Sequence, residues 1–134
     1  MRTLLFTVLA ISLVMAGCKK EPGVGGKAEI RGKVYATEWD NNTGNPTGDE
    51  YYVPEYRVYI VYGDHEFYDD DTRTGPDGLY KFSWLRKGDY TVFTYSECPT
   101  CDSTGFVQVV SETVEIGDKK EVVDVPTLHV QVWH

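Results

Sequence analysis

The stretch from Thr74 to Ser96 restricts the fold of this chain more than any other. It opens on Gly75-Pro76-Asp77-Gly78, where Pro76 fixes φ and the glycines supply conformations that a Cβ would forbid. Tyr80, Phe82 and Trp84 then alternate with Lys81 and Ser83, a period of two that puts three aromatics on one face of a strand. Arg86-Lys87-Gly88-Asp89 turns the chain, and Tyr90, Val92 and Thr94 begin a second alternating run. The pattern predicts a β-hairpin with one apolar face, and such a face needs a second sheet to cover it.

The same period recurs along the rest of the chain. Residues 28–36 read as a first strand, with Ile30 and Val34 on one face and Arg31, Lys33 and Tyr35 on the other. Residues 39–50 are dense in Asn, Asp, Gly, Pro and Thr and are expected to form a long surface loop. A second strand is expected over 56–62, with Tyr56, Val58, Ile60 and Tyr62 inward. A more polar strand over 66–73 suits a sheet edge, where its charges deter pairing with other sheets. Residues 106–116 and 121–125 follow, separated by the turn Gly117-Asp118, and Leu128, Val130 and Val132 mark a last strand. Tyr, Val and Thr dominate, while the good helix formers Ala, Leu and Met are scarce after residue 20. The expectation is an all-β domain, an antiparallel Ig-like sandwich of about seven strands spanning residues 28–134.

Ahead of that domain the character of the chain changes. Arg2 precedes an apolar run over residues 4–15, too short to span a bilayer and shaped like a secretory signal. Val14-Met15-Ala16-Gly17-Cys18 resembles the lipobox of bacterial lipoproteins, with Met15 where Leu is commonest. That resemblance implies a signal peptide over 1–17, cut before Cys18, and acylation of Cys18 with palmitate-type chains. Several acyl chains give stable anchoring where one does not. Residues 18–27, rich in Gly and charge, are expected to be a flexible tether carrying the lipidated Cys18. The absence of Asp after Cys18 resembles an outer-membrane sorting signal, which leaves the domain facing either the periplasm or the exterior. The formal net charge of −8 opposes binding to nucleic acid, and it opposes electrostatic adsorption to anionic lipid. The expected membrane partner is therefore reached only through the lipid on Cys18.

Three groups of residues carry a second resemblance: Ile30-x-Gly32-x-Val34; Pro54-x-x-x-Val58; and Thr74-x-x-x-Gly78-x-Tyr80-x-Phe82-x-x-Leu85-x-x-Gly88-x-Tyr90-x-Val92. In order and spacing they look like the carboxypeptidase regulatory-like (transthyretin-like) domain, and they are similar to the collagen-adhesin B-type repeats of bacterial surface proteins. The resemblance covers residues 28 to about 95 and implies a seven-stranded prealbumin-like sandwich without catalytic activity. Gly75 stands where the family usually has Asp, which argues against a metal at that turn. Some adhesin repeats join Lys to Asn or Asp with the help of a buried Glu. Thr94 occupies that place here, so Lys33 and Asp124 lack the proton shuttle the bond requires.

Several residues invite a chemical reading. Cys98 and Cys101, between expected strands and flanked by Glu97 and Asp102, read as a local disulfide rather than a redox pair, because negative neighbours raise a thiol pKa. Zinc would require them to join His129 and His134, five residues apart on a strand and so on opposite faces. Asp40 to Tyr51 misses the calcium-loop register, with Gly one place early and Tyr51 at the bidentate position. Asp69, Asp71 and Asp77 are weak candidates for a hard cation, against a solvated acidic edge. Trp39, Tyr51, Tyr52, Tyr68 and Trp133 are candidate ligand-binding aromatics, suited to stacking on sugars or docking a protein.

No catalytic motif or cofactor signature is legible. The expected function is a non-catalytic, lipid-anchored envelope module that binds or assembles with a protein partner. The alternative is a carbohydrate-binding accessory protein using its exposed Trp and Tyr side chains, and a distant third is thiol–disulfide activity at Cys98 and Cys101.

Overall fold

A sixteen-residue strand, β1 (Val24–Trp39), organises the computed structural model, which describes residues 21–101 and 105–134. Ala28, Ile30, Gly32, Val34 and Ala36 point inward from it, as the period of two requires. Two strands lie end to end along one of its edges, both antiparallel to it. These are β5 (Leu79–Leu85) and β2 (Pro46–Tyr52). Val34 joins them, donating its N–H to Gly78 and accepting from Val53 N–H on the same side. On the opposite edge β8 (Val122–Asp124) and β9 (Leu128–Trp133) run parallel to β1, interrupted where Pro126 has no N–H to offer. The second sheet is antiparallel, in the order β4 (Asp70–Arg73), β3 (Arg57–Tyr62), β6 (Gly88–Glu97), β7 (Val107–Ile116).

Two apolar faces close over one another to make the core. Ile30, Val34, Tyr80 and Leu128 come from the first sheet, and Val58, Ile60, Tyr90 and Val92 from the second. Each such side chain contributes about 1.5–3 kcal/mol through burial. One end of the sandwich is stitched by side chains: Ser96 Oγ accepts from Gln131 N–H at 2.7 Å, and the Glu97 carboxylate accepts from Trp133 N–H at 2.6 Å. These bonds occupy N–H groups on the outward edge of β9 that would otherwise be open to another strand.

An all-β fold in two facing sheets agrees with the sequence; several details differ. Among the described residues there are nine strands and no helix. The second half of the expected loop 39–50 is β2, because Glu50, Tyr51 and Tyr52 continue the alternation opposite Thr37, Ala36 and Tyr35. The purely antiparallel expectation fails at β8 and β9. The expected tether is shorter than residues 18–27, since β1 begins at Val24 and Gly23 is already held. The signal peptide and Cys18 lie outside the described residues.

The largest correction concerns 74–96, which is not a hairpin: β5 pairs with β1, whereas β6 pairs with β3 and β7. Trp84 adopts φ +59°, which breaks the alternation, so Leu85 is buried in its place and Trp84 is 70% exposed. Arg86 then donates its N–H to Gly23 rather than to a returning strand. The aromatic faces of β5 and β6 meet across the core instead of side by side. Thr74 and Gly78 still act as fixed points. Buried Thr74 Oγ1 donates to Val53 O and accepts from Tyr56 N–H, and a Cβ on Gly78 (φ +75°) would meet Val34 O at 2.9 Å.

Candidate binding faces

Because β1 points one set of side chains into the core, the other set lines the outer face of its sheet. Cross-strand pairing extends this set across β2, β1 and β9 in three rungs. Tyr52, Tyr35 and His129 form the first; Glu50, Thr37 and Gln131 the second; Trp39 and Trp133 the third. Tyr35 meets Tyr52 edge-on at 5.0 Å between ring centroids and His129 at 5.8 Å. The two indoles are stacked at 5.0 Å with 22° between planes. Lys33 Nζ sits 4.6 Å from the centre of the Tyr52 ring.

Polar groups fill the middle rung. Tyr35 Oη donates to Glu50 at 3.2 Å, and Trp133 Nε1 donates to Gln131 Oε1 at 3.1 Å. Desolvation, then the bond to Glu50, hold the Tyr35 phenol above its ordinary pKa, so it remains a neutral donor. Trp39 Nε1 is buried with no hydrogen-bond partner. The face thus alternates apolar rings with hydrogen-bonding side chains on a rigid sheet.

A second aromatic group covers the outer face of the four-stranded sheet. Tyr59 stacks on Phe93 at 5.0 Å and 14°, with Tyr68 at 4.8 Å and Tyr95 at 5.6 Å from it. Beside this cluster lies a shallow groove of about 220 Å³ lined by Glu55, Tyr56, Arg57, Tyr59, Thr94 and Tyr95. Its polar groups are largely committed. Arg57 pairs with Asp71 at 3.2 Å, Thr94 Oγ1 donates to Arg57 O, and Tyr56 Oη donates to Tyr95 O. Burial pushes the Tyr56 phenol up to about 12.

The five candidate aromatics therefore do not form one site. Trp39, Tyr52 and Trp133 share the first face; Tyr51 points inward opposite Ala36 and packs against the core; Tyr68 belongs to the second face. Tyr35 and His129 complete the first face, and in the sequence Tyr35 is legible only as a residue opposite Ile30 and Val34 on the first strand. Phe93 and Tyr95 were missed although they stand opposite Val92 and Thr94 in the alternation.

The acidic candidates are separated in the same way. Asp69 accepts from Tyr62 N–H at 2.7 Å and from His65 Nδ1 at 2.8 Å, Asp71 pairs with Arg57, and Asp77 accepts from Leu79 N–H at 3.2 Å. Among the described residues no three His, Cys, Asp or Glu side chains converge on a cation position. Lys33 is engaged with Tyr52, while Asp124 pairs with Arg31 at 2.7 Å. Cys98 and Cys101 form a disulfide, with Cys98 buried and its N–H donated to Phe106 O.

No family model matches the chain, and no curated protein matches it. Among solved structures it is similar to a protein from Pseudomonas aeruginosa proposed to be a carbohydrate binding protein. The two share 13% identity and a TM-score of 0.45 over 82% of this chain and 91% of the other. A likeness of that size carries no argument about what this chain binds.

Proposed function

We propose that this protein is a non-catalytic binding module of the bacterial envelope, held to the outer membrane by acyl chains on Cys18, and that it takes a neutral sugar chain on the β2–β1–β9 face. The observation that carries the ligand reading is the register: an aromatic rung at Tyr35 and another at Trp39, with Glu50, Thr37 and Gln131 between them. Four residues along a strand span about 13 Å, the reach of a short oligosaccharide. Aromatic rings suit the C–H faces of sugars, and carboxylate and amide groups suit their hydroxyls. A net charge of −8 disfavours polyanionic ligands. Affinity electrophoresis through gels cast with neutral polysaccharides is the test. Retardation that is reduced about tenfold in W133A and kept in Y59A supports the reading, and unchanged mobility in every gel overturns it.

A protein partner is the second reading, and it attaches to the second face. Tyr68 and Tyr95 are exposed there beside the Tyr59–Phe93 stack, making a patch of the kind that docks proteins. Crosslinking in intact membranes separates the two, because a protein partner would be captured through a photoreactive group at Tyr95 and lost in Y68A, which removes an exposed ring.

A further inference from the structure

The described chain starts beside a notch at one end of the sandwich. Gly23 donates its N–H to Tyr90 Oη at 2.8 Å and accepts from Arg86 N–H at 2.8 Å. Pro22 fits between two glycines: its ring is close to Gly63, and a Cβ on Gly88 would meet it at 2.4 Å. The N-terminal arm is therefore fastened to the domain at Gly23, five residues after Cys18. Five residues reach at most about 17 Å, so whatever holds Cys18 is held close to this end.

That end has an unusual surface. The ends of β3, β5 and β7 and the starts of β1, β4, β6 and β8 all lie here, which follows from the pairings Tyr62–Tyr90, Val24–Leu85, Gly88–Ile116 and Glu29–Val122. It exposes Trp84 at 70%, Phe67 at 79% in the β3–β4 loop, and Val24. Trp84 is outside the core because its backbone adopts a positive φ, a conformation disfavoured for a bulky side chain and of the kind that concentrates at functional sites. Arg86, Lys87, Lys119 and Lys120 lie at this end, outnumbered by Asp64, Glu66, Asp69, Asp70, Asp89, Asp118 and Glu121. An acidic excess opposes electrostatic adsorption, so the affinity of this end for the headgroup zone of a bilayer rests on its exposed aromatic rings. The other two tryptophans, Trp39 and Trp133, are stacked at the far end of β1.

We infer that the end of the sandwich carrying Trp84 and Phe67 rests in the lipid headgroup layer, so that the β2–β1–β9 and β3–β6 faces stand roughly upright from the membrane. This rests on the reading of Cys18 as acylated. Lipid alone anchors the chain; Trp84 and Phe67 add orientation, with Trp at the depth where its amphipathic ring is favoured.

The test uses the mature protein purified from membranes and reconstituted into phosphatidylethanolamine–phosphatidylglycerol vesicles with brominated acyl chains. Intact mass is measured on the same sample. The expected result is acyl mass on Cys18 with loss of most Trp84 emission through bromine quenching. That loss disappears in W84F and persists in a W39F/W133F variant. Acyl mass without quenching of Trp84 overturns the docked end and leaves the anchor standing. Absence of acyl mass overturns the anchor, and the docked end with it.

Discussion

Each sheet of this sandwich carries an aromatic group on its outer face, and the two groups are built differently. On the four-stranded sheet Tyr59 is in contact with Phe93, Tyr68 and Tyr95, so its ring is largely occupied by other rings. On the five-stranded sheet the rings touch only within a rung, Tyr35 with Tyr52 and His129 and Trp39 with Trp133, and Glu50, Thr37 and Gln131 separate the rungs. Three rings gathered around one central ring chiefly stabilise the fold. Short rungs of rings set apart by hydrogen-bonding groups have less to offer stability and more to offer a ligand. The contrast predicts that substitutions on one face are read in folding and on the other in binding.

The largest effect is expected at Tyr59. Y59A removes contacts to three rings and should lower the unfolding free energy by about 3 kcal/mol in urea titration, with sugar binding unchanged. If Y59A unfolds no more easily than the wild type, the cluster is not structural and the contrast fails. The disulfide comes next, because its short loop follows Glu97, whose carboxylate holds Trp133 N–H. Loop-closure entropy for so small a ring gives roughly 2 kcal/mol for C98S/C101S. Binding on the first face should persist, since the ring closes outside the three rungs; a loss of binding would tie the two regions together.

W133A is expected to weaken sugar binding by about tenfold, or about 1.4 kcal/mol, and to change stability by only about 1 kcal/mol. The reverse pattern, a large stability loss with intact binding, would make the Trp39–Trp133 stack a structural cover like that of Tyr59. The smallest effect is a pH dependence in the β3–β4 loop beside Tyr68. The hydrogen bond to Asp69, followed by its charge, raises the His65 pKa. A group whose folded pKa is raised stabilises fully below its ordinary value, near 6.5, and loses that contribution as pH rises through the higher folded value. The melting temperature of H65A should therefore fall below that of the wild type at pH 5.5 and match it at pH 9. A difference that persists at pH 9 would show that packing rather than charge holds the loop.

Much of the fold was legible because burial and strand period are local. Val58 and Ile60, Tyr90 and Val92, and Leu128 and Val130 point inward as their alternation predicts, and Asp70–Arg73 is an edge strand as its charges suggest. Trp84 was not legible, because a single positive φ reverses the side on which a residue falls, and nothing in the residue type announces it. Tyr51 and Tyr52 are chemically alike and adjacent, yet one faces the core and one the solvent, a choice made by pairing with Ala36 and Tyr35. Tyr68 was grouped with Trp39 and Trp133 by composition, and the chain carries it to the other sheet.

The order of apolar and polar residues, by itself, determined that this chain forms strands, which faces of most of them are buried, and that Cys98 and Cys101 are close enough to join. These depend on neighbours in sequence. Whether the aromatic runs of β5 and β6 pair beside each other or meet across the core was decided only in three dimensions, as was the parallel placement of β8 and β9 along β1. The physical reason is that alternation records which side of a strand is apolar and carries no record of which backbone its edge will bond.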